Sequence, residues 1–164
     1  MSEPKELTIY TRGIGTPSGG AYVALLVYGA HRRELSGWEN GASSNRMELC
    51  AAVEALRALK WPCRVILYNA SGYLSESMSK GWAAQWRKAG WFTGKGKPTS
   101  NADLWDALLN LCTVHSVEFV WIPAEGVDQF AYCKRIARQI IQEHAVRAAD
   151  RRTKLKDEPD PADM

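Results

Sequence analysis

No stretch of the chain approaches the roughly eighteen consecutive apolar residues that a membrane-spanning helix needs. The opening Met1-Ser2-Glu3-Pro4-Lys5-Glu6 also lacks the apolar run of a secretory signal, so a cytoplasmic protein with no membrane association is expected. Cys50, Cys63, Cys112 and Cys133 lie far apart and no pair is spaced Cys-x-x-Cys, which leaves a disulfide framework or a zinc knuckle without support. Reduced, mostly buried thiols are expected instead. Charge of one sign is in short supply: 21 Lys and Arg face 18 Asp and Glu, and the resulting +3 does not by itself establish nucleic-acid binding. No repeat of about 20–50 residues is visible, which argues against a solenoid. What remains is 164 residues of ordinary globular composition, enough for one full hydrophobic core.

Leu7 to Tyr10 is a short β-type run, broken by Gly13, Gly15, Pro17, Gly19 and Gly20. Ala21 to Tyr28 and Arg32 to Trp38 read as a hairpin turning at Gly29-Ala30-His31. Ser44-Asn45 offers a helix N-cap with Glu48 in the first turn, and Leu49, Val53, Leu56 and Leu59 recur at helical spacing to about Lys60. Pro62 ends that helix. Arg64 to Tyr68 is a compact strand, a second helical stretch starts near Ser71, and Asn101 to Cys112 is a further helix. Val117 to Ile122 supplies a fifth strand, and Cys133 to about Arg147 the last helix. The order β-β-β-α-β-α-α-β-α predicts an α/β domain over residues 1–147, with a mixed five-stranded sheet flanked by helices. Residues 148–164 turn to Arg, Lys, Asp, Glu and Pro and are expected to form a disordered charged tail.

Residues 77–101 carry Lys80, Arg87, Lys88, Lys95 and Lys97 without a single acid, interleaved with Trp82, Trp86, Trp91 and Phe92. Cations reach phosphates and aromatic faces stack on sugars or bases, so the segment is a candidate nucleic-acid surface. Its lack of alternating acids sets it apart from an ordinary solvated face. Trp82 and Trp86, four residues apart, also suit a packing role that holds the segment onto the core.

Asn45-Arg46-Met47-Glu48-Leu49, Lys80-Gly81-Trp82 through Trp86, Lys88, Gly90-Trp91, and Asn101-Ala102-Asp103-Leu104-Trp105 occur in an order and spacing that resembles the bacterial-type ribonuclease H family over roughly residues 6–145. The resemblance implies a ribonuclease H-like fold with a basic handle at residues 77–101. It also implies cleavage of the RNA strand of RNA/DNA hybrids with two Mg²⁺ held by four carboxylates. Those carboxylates belong to the motifs T-D-G-S, R-M-E, T-D-S-Q and R-C-D-E-L-A.

The chain keeps the segments and changes the ligands. Thr11-Arg12-Gly13-Ile14, Asn69-Ala70-Ser71-Gly72 and Tyr132-Cys133-Lys134-Arg135 stand at three of the four motifs, leaving Arg12, Ala70 and Lys134 beside Glu48. The family's His-containing loop corresponds to Ala124 to Gln129, which has no histidine. A unit charge pair about 4 Å apart is worth about 4 kcal/mol at an effective dielectric near 20, so two cations in place of two anions are expected to abolish Mg²⁺ binding. The sequence thus predicts a divergent, catalytically inactive member without a metal cofactor, a pseudoenzyme that binds an RNA-containing duplex. Binding would use the handle with Asn45 and Ser44, the latter standing where the family has a second asparagine. Arg12 and Lys134 would pair with Glu48, grip a phosphate, or point to water. Two alternatives remain: a scaffold subunit that docks a protein through the tail or residues 124–130, and a hybrid endoribonuclease whose metal site is rebuilt with Glu125 and Asp128.

Overall fold

The computed structural model describes residues 5–157. Strands β1 (Lys5–Gly15), β2 (Gly19–Tyr28) and β3 (His31–Asn40) form an antiparallel meander, in which the expected hairpin turn at Gly29 takes a positive φ of 57°. Helix α1 (Ser44–Arg57) crosses to β4 (Cys63–Asn69), which pairs parallel with β1. Three helices follow: α2 (Gly72–Ser79), α3 (Trp82–Lys88) and α4 (Ala102–Val114). Strand β5 (Ser116–Trp121) then adds parallel to β4, and α5 (Asp128–Asp157) closes the described chain. The sheet order is β3-β2-β1-β4-β5, the mixed five-stranded sheet expected from the sequence. The second helical stretch is divided at Gly81, whose φ of 76° ends the α2 run and starts α3.

Two cores lie on opposite faces of the sheet. On one, Leu49, Ala52, Val53 and Leu56 of α1 pack with Ile9, Val65 and Leu67 of the sheet and with Trp105 and Leu108 of α4. On the other, Cys133 and Ala137 of α5 pack on Ala21, Val23 and Leu25 of β2. Strand alternation assigns the faces: Ile9, Thr11 and Gly13 are buried toward α1, while Tyr10 and Ile14 join the α5 side. The α1 helix starts one residue earlier than expected, because Ser43 is the cap whose side chain accepts from the Arg46 N–H. That shift moves Glu48 out of the first turn and onto the buried face.

The four cysteines are all free thiols, and burial pushes Cys50 and Cys112 up to about 11 and Cys133 to about 12. Helix α5 runs on to Asp157, so residues 148–157 are helical where the sequence predicted a disordered tail. Helix formation there needs no apolar face: Ala145, Ala148 and Ala149, with Arg147, Arg151 and Arg152, are good helix formers, and the run simply propagates from the packed turns before it. The rest of the expected tail, residues 158–164, lies outside the described residues. Among the described residues no helix is long and apolar enough to cross a membrane.

Candidate active site

Strand β1 and helix α1 approach so closely that a Cβ built on Gly13 would lie 2.2 Å from the backbone nitrogen of Glu48. Gly15 is held against the start of the same helix, where its N–H donates to the Ser44 hydroxyl at 2.8 Å. This contact gives Ser44 a backbone partner, whereas Asn45 is exposed. Arg46 fastens the other side. Its guanidinium meets Glu39 of β3 at 2.6 Å and forks onto Asp103 of α4 at 3.1 and 2.9 Å. A further donation reaches Asn101, whose side chain and the Trp105 indole N–H both donate to the Tyr73 hydroxyl. The two acids raise the Arg46 pKa, and Arg46 in turn lowers that of Asp103. Replacing Arg46 by alanine removes a bidentate, multi-charge network that ties three elements together and is expected to cost about 2 kcal/mol. Thermal unfolding should register this as a drop of roughly 4–8 °C.

Glu48 is 6% exposed, and its Oε2 has no hydrogen-bond partner. Burial pushes its carboxyl up to about 7, against the opposing pulls of the Gly13 backbone and the Arg12 charge. Arg12 is half-buried on β1 with its Nε enclosed and unpartnered. No Arg12–Glu48 pair falls within the 4 Å of an ion pair among the described residues. The β1–β4 register ends at Thr11↔Asn69, so Ala70 follows at the next step, alongside Arg12. Asn69 is buried and its side chain accepts from the Ser71 N–H, turning the chain into α2. Lys134 is exposed on α5, in a groove shared with Arg135, Arg138 and Gln142.

The four-carboxylate, two-Mg²⁺ arrangement implied by the resemblance does not fit these residues. Arg12, Ala70 and Lys134 supply no carboxylate, and Mg²⁺ asks for near-octahedral oxygen coordination. Among the described residues no group of three or more His, Cys, Asp or Glu could hold a metal ion, so Glu125 and Asp128, both exposed, do not complete a cluster with Glu48.

The basic segment splits into two populations. Arg87 donates to Asp106 at 2.9 Å and is also bound to Asn110, so it belongs to the α3–α4 junction rather than to a free cationic surface. Trp86 packs edge-on against Trp105 with ring centroids 5.8 Å apart, and Trp91 also joins the core. Lys80 sits 3.7 Å from Glu76 and over the ring of the exposed Trp82. Lys88, Lys95 and Lys97 are exposed and meet no carboxylate among the described residues.

The family model for RNase H matches residues 4–142. The chain belongs to the RNase H family. It is 44% identical over 144 residues to the Ribonuclease H of Chlorobaculum parvum, covering 86% of this chain and 99% of that one. The Ribonuclease H of Moorella thermoacetica is 48% identical over 142 residues, or 84% of this chain and 92% of its own. Among solved structures, LC9-RNase H1, a type 1 RNase H with the type 2 active-site motif, superposes with a TM-score of 0.73 at 23% identity. It covers 85% of this chain and 73% of its own, and shows the shared fold.

These RNase H relatives overturn the expectation of a catalytically inactive pseudoenzyme: enzymes named Ribonuclease H are 44–48% identical over most of the chain. Since the family works with Mg²⁺, the expectation that no metal takes part falls with it. Of the two cations at the ligand positions, Lys134 stands in solvent on α5, one of the placements expected for it, while the Arg12 charge acts on the Glu48 carboxyl.

Proposed function

We propose that the chain is a ribonuclease that cuts the RNA strand of RNA/DNA hybrids in the cytoplasm. The observation that carries this reading is the 44–48% identity to proteins named Ribonuclease H across nearly the whole domain. The structure contributes the surface and the acid. Lys88, Lys95 and Lys97, which meet no carboxylate among the described residues, offer three ammonium groups to a phosphate backbone. Among the described residues Glu48 is the one buried carboxylate at the crossing of β1 and α1, and burial pushes its carboxyl up to about 7. The site departs from the family's ligand set, so Glu48 is the residue on which cleavage depends.

Incubating a hybrid labelled on each strand in turn with Mg²⁺ or Mn²⁺ tests the reading. Scission of the RNA strand alone is expected, with a loss of at least about a hundredfold in Glu48→Gln, the size typical of a removed acid–base group. An RNA strand that stays intact at stoichiometric protein in both metals overturns it.

A further inference from the structure

We infer that Arg12 is a phosphodiester-binding residue, its guanidinium taking a phosphate oxygen of the bound nucleic acid directly, with no divalent cation between them. The inference rests on the hybrid-binding reading above and deepens it. Four arginines of the chain are already committed to acids: Arg46 to Glu39 and Asp103, Arg57 to Glu54, Arg64 to Glu6 and Arg87 to Asp106. Arg32 and Arg135 both lie over the Tyr132 ring. Arg12 has none of these outlets. It is held half-buried on a central strand with its Nε enclosed and unpartnered, so the stem is fixed while its terminal guanidinium nitrogens, committed to no protein acceptor among the described residues, are left to meet an oxyanion.

The neighbours of Arg12 leave its charge available. Arg12 acts on the Glu48 carboxyl without forming an ion pair with it, and Ala70, the residue after β4, adds no polar side chain. The acceptor that suits a half-buried guanidinium best is a planar or tetrahedral oxyanion met by more than one N–H, and a phosphodiester is that group on a nucleic acid. The mismatch between this site and a cation-chelating one thus has a positive content. Arg12 supplies positive charge to the backbone as a fixed side chain.

Binding of a short RNA/DNA hybrid, followed by fluorescence anisotropy in EDTA over a series of salt concentrations, tests this. Arg12→Ala is expected to weaken binding by about tenfold and to reduce the slope of log affinity against log salt by about one phosphate contact. Arg12→Lys, which keeps the charge, is expected to retain the wild-type slope. Should Arg12→Ala fail to fold, Arg12→Gln makes the same comparison. Wild-type affinity and slope in the folded neutral variant overturn the inference while leaving the hybrid reading in place. A wild-type chain that binds no hybrid overturns both.

Discussion

Replacing Gly13 by alanine should lower the unfolding free energy by about 3 kcal/mol, at the upper end of what overpacking costs. The added Cβ would lie 2.2 Å from the Glu48 nitrogen and 2.4 Å from the Met47 carbonyl carbon. Both are backbone atoms of a helix pinned from behind by Leu49, Val53 and Leu56, so the strain cannot be relieved by a side-chain rotation. The expected fall in melting temperature is roughly 6–12 °C. Gly72 is the control. A Cβ there meets nothing within 4 Å, and Gly72→Ala at the start of α2 should be neutral or slightly stabilising. Because the Gly13 contact sets the spacing between Arg12 and Glu48, Gly13→Ala should also impair whatever the site does.

The second large effect is a dependence of stability on pH that originates in one carboxyl. Burial pushes the Glu48 carboxyl up to about 7 in the folded chain, from an ordinary value of 4.5. A group whose folded pKa is raised stabilises the fold fully below its unfolded value and loses that contribution as pH rises through the folded one. The Glu48 contribution is therefore present below about pH 4.5 and gone above about pH 7. It amounts to about 3 kcal/mol at 1.36 kcal/mol for each pH unit of difference. Denaturant unfolding of the metal-free protein between pH 5 and pH 8 should show this decline, and Glu48→Gln should flatten it. At pH 8 the variant should be more stable than the wild type by about 1–3 kcal/mol, since it no longer buries an unpaired charge. Losing cleavage while gaining stability is what a strained functional acid predicts.

Much of this architecture was legible in the sequence because it is written in local patterns. The alternating runs of β1 to β3, the helical spacing of Leu49, Val53 and Leu56, and the Gly29 turn each needed only neighbours a few residues away. The site was legible in part. Asn45 to Leu49 located the α1 segment, and Thr11 to Ile14 located the strand that crosses it.

What escaped depends on partners far along the chain. The basic segment holds no acid of its own, yet Asp106 and Asn110 reach Arg87 from α4 across 19 and 23 residues. Charge composition read within a window misses such pairs. Arg46 likewise finds Asp103 57 residues away. Lys134 illustrates the converse. Its motif position leaves open a pair with Glu48, a grip on phosphate or a side chain in water, and the helix, carrying Cys133 inward, leaves Lys134 in solvent. The reach of α5 to Asp157 was missed because the composition of residues 148–157 suits a solvated helix as well as a coil, and only the packed turns upstream decide between them.

The site turns on a single carboxyl, buried near a guanidinium that does not form an ion pair with it. Carbon-13 labelling of the glutamate carboxyls and an NMR titration of the Glu48 resonance, in EDTA and without nucleic acid, measures it directly. The predicted midpoint is about 7. A midpoint at or below 4.5 would mean that Arg12 closes onto Glu48 as an ion pair, and it would contradict both the unpartnered acid and the free guanidinium on which the site is built.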